Sequence, residues 1–406
     1  MIFTELNENE FREFGIKHPL KTFLQTPEIG KLRKKEGWDV SYVGVKNKNK
    51  ILCATMLVYK KRHFGQYEFY SPRGFLIDFN DKELLTFFVN NLKKYIRSKK
   101  GYILRIDPYV VYKERDINGD IVKGGIDNSG VVNNILSLGF KRQEILEQVG
   151  WMFCLDLDTT EEELIKKMRS FTKRNIKKGL KNAIHIREIV DDEIALIKDL
   201  TDSTSNRKGF SNRDINYYKN LYEVFKPRGE INYIVAEIHL QEYIKSQKKQ
   251  LEEEKAKLDK LMAINSTVEK MDKQQEIISS IEEKIKDAKE LKKAHGNIIP
   301  LSGGVFLTYG DEILYLFGGN YKEYMYLCAP YIVQWEMIKR GLKENKRFRR
   351  YNFYGIPANI NKHPENYGIY DFKKGFTGYV EELIGEYELP INIFYYVFKF
   401  ISKIRR

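Results

Sequence analysis

Two positions in this chain have residue types suited to proton transfer and oxyanion stabilisation. Asp107 closes an apolar strand, Tyr102 to Ile106. Sheet proteins place working groups at such strand ends, and a carboxylate there can accept a proton from an amine. Asp107 also precedes Pro108, and Asp before Pro is an ordinary turn, so the position carries both readings. The second position is Phe372-Lys373-Lys374-Gly375-Phe376, a cation among aromatics beside a glycine. A lysine held against aromatic and backbone groups stabilises a developing oxyanion; otherwise this is a surface lysine pair.

Phosphate-binding candidates surround them in the sequence. Between Lys166 and Lys181 basic residues recur without a single acid, while Met168, Phe171 and Ile176 keep an apolar side. This describes a helix anchored on the core that presents a positive ridge, suited to phosphates without base readout, or else a solvated basic face. Gly209-Phe210-Ser211-Asn212-Arg213 leads into a helix bearing Tyr217 and Tyr218. Arg213 can hold a phosphate bidentately, although Ser211 to Asp214 is equally a helix start. Lys31, Arg33, Lys34 and Lys35 form another basic cluster.

The elements that must position these groups follow from composition and pattern. The 406 residues exceed one ordinary core and allow two domains. A formal charge of +14 suggests a polyanionic partner. Cys53, Cys154 and Cys328 lie far apart in apolar settings, as buried thiols of a reducing compartment do, and no metal-ligand spacing joins them or the six histidines. The amino terminus lacks a signal-peptide pattern and no window has transmembrane length, so a cytoplasmic protein is expected. The segment INIFYYVFKFISKIRR either docks on a membrane surface or packs as a final helix with a basic end.

Residues 240–295 form the most distinctive stretch. Ile244, Leu251, Leu258 and Met262, then Met271, Ile278, Ile281, Ile285 and Ala288, follow a coiled-coil seam. Ala263 to Thr267 supplies the turn, with Asn265, Ser266 and Thr267 as candidate caps. An antiparallel helical arm is therefore expected, spliced between the strands Tyr233 to Ile238 and Ile298 to Phe306.

The remaining pattern predicts helices at Glu5 to Phe14, Thr22 to Lys35, Lys82 to Ser98, Val131 to Leu138, Glu161 to Lys181, Glu193 to Ser203, Asp214 to Val224 and Tyr331 to Leu342. It predicts strands at Val40 to Val45, Ile51 to Tyr59, Tyr67 to Tyr70, Trp151 to Leu157, Ile184 to Ile189, Gly304 to Tyr309, Glu312 to Phe317 and Tyr351 to Tyr354. A repeat runs through this order. A strand, the helix Lys82 to Ser98 and a strand ending in Asp107 match a strand, the helix Tyr331 to Leu342 and a strand ending in Gly355. Two copies of a mixed α/β acyltransferase-like fold explain both the length and the split by the arm.

Thr22-Phe-Leu-Gln-Thr26 with Gly37-Trp38, Ser71-Pro-Arg-Gly-Phe75, Leu104-Arg-Ile-Asp-Pro108, Arg174-Asn175-Ile176, Gly209 to Arg213, Tyr351-Asn-Phe-Tyr-Gly355 and Phe372-Lys-Lys-Gly-Phe376 occur in order around the arm. Together they resemble the FemABX family of tRNA-dependent peptidyltransferases across essentially the whole chain. The resemblance implies an α/β (α+β) fold with two acetyltransferase-like (GNAT-like) domains, at 1–148 and at 149–239 with 296–390. It adds the antiparallel coiled-coil arm at 240–295 and leaves a basic aromatic segment at 391–406.

It also implies transfer of an amino acid from aminoacyl-tRNA to an amine on the stem peptide of the lipid-linked peptidoglycan precursor at the inner face of the membrane. Related transferases would act in series, without DNA, metal or cofactor. By the resemblance, Lys31, Arg213, Ser211 and Tyr217 fall at the precursor's diphosphate, and Tyr102 and Asp107 on the acceptor side. Phe372 and Lys373 fall at the donor end and transition state. Arg169, Lys173, Arg174, Lys177 and Lys178 of the ridge would meet tRNA. Phe317 stands where the family can carry a tyrosine, which leaves Tyr315 as the candidate substitute. An RNA-binding scaffold without catalysis and an acyltransferase with a small thioester donor are the competing readings. No glycine-rich pyrophosphate loop is evident for the latter.

Overall fold

The computed structural model describes residues 1–144, 148–344, 346–358 and 367–404. The first half of the chain runs β1 (Ile2–Glu5), α1 (Glu8–Lys17), α2 (Pro27–Lys35), β2 (Asp39–Asn47), β3 (Lys50–Lys61), β4 (Tyr67–Ser71), α3 (Lys82–Ser98), β5 (Gly101–Ile106), β6 (Val111–Glu114), α4 (Ser129–Ser137) and β7 (Lys141–Arg142). The second runs β8 (Trp151–Asp156), α5 (Glu161–Lys167), α6 (Ser170–Lys181), β9 (Ile184–Glu188), α7 (Ile194–Lys208), α8 (Ile215–Phe225) and β10 (Ile231–His239). After the arm helices α9 (Leu240–Ala263) and α10 (Val268–His295) come β11 (Ile298–Tyr309), β12 (Glu312–Asn320), α11 (Ala329–Lys343), β13 (Arg350–Gly355), α12 (Tyr367–Lys374), β14 (Tyr379–Leu383), β15 (Tyr387–Pro390) and α13 (Phe394–Ile404).

Two sheets result, ordered β1-β2-β3-β4-β5-β15-β7 and β6-β14-β8-β13-β12-β11-β10-β9. The expected repeat is their common motif. In the first sheet β4 and β5 are parallel, with α3 crossing between them, and in the second β12 and β13 are parallel, with α11 crossing. All other pairings among the described strands are antiparallel. The α3 boundaries follow from the sequence because Asp81 caps the Leu84 amide and Leu84, Leu85, Phe88, Leu92 and Ile96 bury one face.

Each sheet also takes a strand from the other half of the chain. β6 pairs with β14 in the second sheet, and β15 pairs with β5 in the first. A buried apolar cluster then joins the two halves, with Phe11, Ile29 and Met56 from the first and Ile197, Tyr218, Tyr233 and Val305 from the second.

Several sequence boundaries shift. The first helix starts at Glu8, capped by Asn7, because residues 2–5 pair with β2. The second begins at Pro27, where Thr26 caps the Ile29 amide. The expected helix from Glu161 to Lys181 is two helices. Met168 and Arg169 are extended between them, with Met168 buried and the Arg169 amide donated to the Gly375 carbonyl.

The arm is an antiparallel pair of helices whose shared seam buries Ile244, Leu258, Ile278, Ile281, Ile285 and Ala288. Met262 lies exposed, so the seam closes short of the tip. β10 and β11, on either side of the arm, pair antiparallel from Ile231 with Leu307 to His239 with Ile298. The arm is thus an insertion between neighbouring strands. Among the described residues no helix is long and apolar enough to cross a membrane.

Candidate active site

Asp107 follows β5 and is sealed in, 2% exposed. Its Oδ1 accepts from the Tyr70 hydroxyl at 2.9 Å and from the Arg73 amide at 2.7 Å. Its Oδ2 lies 3.2 Å from Arg73 Nη1. Burial pushes the Asp107 carboxyl up against the pull of Arg73 and the Arg73 amide. Arg73 is itself 3% exposed and donates Nη2 to the Val149 carbonyl at 2.6 Å.

The turn that aims Arg73 inward is built from two of the sequence motifs. Arg73 has φ 55°. Gln25, buried below it, donates to the Pro72 carbonyl at 2.6 Å and accepts from the Met56 amide at 2.8 Å. Thr55 and Ser71 hydroxyls meet at 2.6 Å, and a Cβ at Gly74 would overlap both. The stretches 22–26 and 71–75 therefore act together to place one guanidinium.

Tyr354, at the end of β13, links this pair to the lysine. It has φ 64°, and its burial pushes the phenol up, moderated by Arg73 and, farther off, by Arg213. Lys373, on α12, is 6% exposed and donates Nζ to the Gly355 carbonyl at 2.6 Å and to the Tyr354 carbonyl at 3.4 Å. Burial lowers its pKa to about 7. No carboxylate is bonded to it among the described residues, so an ammonium here is held only by carbonyl dipoles. Such a group gains most when negative charge develops beside it.

The phosphate candidates divide. Arg213 stacks its guanidinium 5.1 Å from the Tyr217 ring. Tyr217 is pushed up to about 12 by burial, with Arg33 and Arg213 pulling the other way. Arg33, rather than Lys31, therefore shares this electrostatic environment. Lys31 is exposed and sits 3.8 Å from Glu8. Ser211 is exposed in the loop. That loop is fixed by Asn212, which donates to Thr201 at 2.9 Å and Asp202 at 2.8 Å and accepts from the Tyr218 hydroxyl at 2.8 Å and the Arg213 amide at 2.9 Å.

Phe317 packs edge-on to Tyr217 at 6.0 Å and against Tyr218 at 5.4 Å. Tyr315 does not replace it. A bulge between Val305 and Phe306 turns Tyr315 to the other side of β12, where it stacks on Phe306 at 5.1 Å. Tyr102 is also apart from Asp107, five residues and about 16 Å away at the other end of β5. Its ring meets Phe398 of α13 edge-on at 4.7 Å.

Phe372 lies edge-on to Tyr331 at 4.9 Å, beside Phe376. The basic helix α6 docks there through three contacts. Arg169 pairs with Asp371 at 2.5 Å, its amide binds the Gly375 carbonyl, and Phe171 meets Tyr331 edge-on at 6.4 Å. Arg174, Lys177 and Lys178 are exposed, and Lys173 is half-buried. The ridge thus begins beside the end of α12, which carries Lys373.

Asn352, Glu312, Glu381, Tyr109 and Arg350 form a further polar cluster, the first and third buried and the others half-buried. Arg350 lies 2.6 Å from Glu312 and 2.7 Å from Glu381, and donates to the Tyr109 hydroxyl at 2.6 Å. Tyr109, Glu312, Arg350 and Glu381 wall a cavity of about 460 Å³ that is also lined by Lys21, Asp311 and Arg349. It adjoins the site through Tyr109, whose ring lies 5.9 Å from the Arg73 guanidinium. Sequence reasoning missed Arg73, Tyr354 and this cluster, and it named Arg33 only as a member of the basic group around Lys31. The only signal was positional, Arg73 and Tyr354 each falling within a quoted motif. Folding also groups His185, His239 and Glu242 at the arm's root, a grouping invisible in linear spacing, where Glu242 bonds His185 at 2.8 Å.

Doubled strand-helix-strand crossings with a buried cation at the end of the second define a tandem acyltransferase fold. Solved structures agree. The crystal structure of FemX superposes with a TM-score of 0.78, covering 98% of this chain and 99% of that one at 23% identity. A tandem GNAT protein from the clavulanic acid biosynthesis pathway gives 0.51, over 96% and 98% at 10% identity. In sequence, the chain is 33% identical to the aminoacyltransferase FemA of Staphylococcus aureus (strain bovine RF122 / ET3-1), over 97% of this chain and 96% of that one. The FemAB family model matches residues 6–403, and the chain belongs to the FemAB family.

Proposed function

We propose that this chain transfers an amino acid from aminoacyl-tRNA to an amine on the stem peptide of the lipid-linked peptidoglycan precursor, as a builder of interpeptide bridges. Membership in the family of the FemA aminoacyltransferases supports the reaction class. The observation that carries the chemistry is the buried Lys373, without a bonded carboxylate among the described residues, beside the carbonyls of Tyr354 and Gly355. The acceptor amine attacks the ester carbonyl, forming the N–C bond while the ester C–O bond breaks. Lys373 as ammonium stabilises the oxyanion, and the amine's proton leaves with the departing 3′-oxygen of the tRNA.

Direct transfer is favoured because the cysteines are poor nucleophiles. Burial raises Cys53 to about 12, Cys154 well above the ordinary thiol range, and Cys328 to a lesser degree. Asp107 is read as a positioning residue, holding Arg73 under Tyr354. Arg213, with Tyr217 and Arg33, is the site for the precursor's diphosphate, Lys31 approaching it from the exposed side of α2, and the α6 ridge meets the tRNA backbone. The acyltransferase units are taken as 1–148 and 149–239 with 296–390, exchanging β6 and β15. A lipid-linked substrate and partner transferases acting in series would place the enzyme at the inner membrane face.

The test is an assay with purified precursor and a charged tRNA mixture, reading which amino acid appears on the stem peptide. An unchanged stem peptide at every tRNA would sink the reading.

A further inference from the structure

We infer that the outer face of α13, together with Phe64, is a docking surface for an anionic lipid bilayer. This deepens the proposed function by giving its membrane substrate a point of approach, and rests on that reading only for its purpose.

Helix α13 is apolar on two sides. Its inner side is anchored: Tyr395 is buried, Phe398 meets Tyr102, and Asn392 caps the helix through the Phe394 amide at 2.9 Å. Its outer side bears Tyr396 at 53% exposure and Phe400 at 66%, with Val397 between them, and Ile393, just before the first turn, is 68% exposed. Beside the helix Phe64, 70% exposed, stacks on Phe398 at 6.0 Å. A helix apolar on two sides calls for cover on both, and an exposed aromatic patch of this kind marks an interaction surface.

Charge chooses the occupant. Residues 391–406 contain no acid and include Lys399, Lys403, Arg405 and Arg406. Lys141 lies 5.0 Å from the Tyr396 ring, and Arg62 adjoins the Phe64 turn. The two nearby carboxylates are buried and paired, Glu388 with Lys399 at 2.8 Å and Glu68 with Arg62 at 2.7 Å. The described patch is therefore aromatic and edged by Lys141, Arg62 and Lys399, the composition that inserts its rings among lipid headgroups while lysines and arginines meet anionic phosphates. At 11 residues the helix spans about 16 Å and lies in the interface plane.

Flotation of the full chain with vesicles of phosphatidylglycerol and phosphatidylethanolamine tests this, against vesicles of phosphatidylcholine alone. The wild type should float with the anionic vesicles and release as salt rises. The double substitution Ile393→Ser, Phe400→Ser should lower partitioning at least tenfold with an unchanged thermal unfolding midpoint. Wild-type chain that stays unbound, or a double variant that floats equally well, overturns the docking surface. A wild type that self-associates in sedimentation equilibrium without floating, and a monomeric double variant, would assign the face to a second copy and also overturn it. Transfer to a precursor analogue lacking the lipid separates the two readings. Its loss in the wild type with flotation intact removes the proposed reaction alone, and its persistence with flotation absent removes the docking surface alone.

Discussion

The ends of the two parallel crossings hold opposite solutions to the burial of charge. At the end of β5, Asp107 and Arg73 neutralise each other, and two further donors satisfy Asp107 Oδ1. At the end of β13, Lys373 finds only carbonyls among the described residues. The first arrangement spends its electrostatics on itself and fixes a turn. The second leaves a cation whose charge is uncompensated until something negative arrives, which is how a transition-state stabiliser differs from an anchor.

The largest expected effect breaks the anchor. Asp107→Ala leaves the Arg73 guanidinium buried without its carboxylate, held by the Val149 carbonyl, at a cost of about 3–5 kcal/mol, read as a lower urea midpoint. A cost below about 1 kcal/mol would make the pair no tighter than a surface one. Asp107→Asn keeps the Tyr70 and Arg73 amide donors and separates anchoring from base chemistry. Its folded fraction should retain turnover within about tenfold. A loss equal to that of Lys373→Met, in a folded protein, would make both strand ends chemical and restore Asp107 as the base.

Next comes Lys373→Met, expected to lower kcat by about 100-fold while the KM for precursor stays within about threefold. Turnover equal to wild type would return Lys373 to packing. The pH profile sharpens the same point. Burial brings the Lys373 pKa to about 7, below the ordinary lysine value, so the ammonium is present below that pH and lost above it. If the ammonium works, kcat/KM falls about tenfold per pH unit above 7, and Lys373→Arg removes this limb because a guanidinium stays charged. A rate rising through pH 7 would instead assign a neutral amine acting as base.

The contrast explains what the sequence could and could not reveal. α3 and the arm were legible because periodicity and caps are local. The repeat of strand, helix and strand was legible from order alone, and it located both strand ends. β6, β14 and β15 escaped because short strands borrow their identity from distant partners, as Leu389 of β15 does from Leu104. Arg73 escaped for a related reason: nothing within Ser71 to Phe75 signals that its side chain turns inward toward a carboxylate 34 residues on. The break at Met168 was set by Gly375, two hundred residues away.

The smallest expected effects lie on α2, where Lys31 and Arg33 are two residues apart and so face different ways. Arg33, paired with Glu36 at 2.7 Å, pulls the Tyr217 phenol down together with Arg213 against the effect of burial, whereas Lys31 lies beside Glu8. If the diphosphate sits at Arg213, Arg213→Ala should raise the precursor KM by about tenfold or more, Arg33→Ala by severalfold, and Lys31→Ala least. Each should leave kcat nearly unchanged, since binding common to ground and transition states moves KM alone. Measured KM values in the reverse order, with Lys31→Ala the most damaging, would shift the phosphate toward α1 and detach Tyr217 from the site. The order of the three therefore reports which face of α2 the precursor meets.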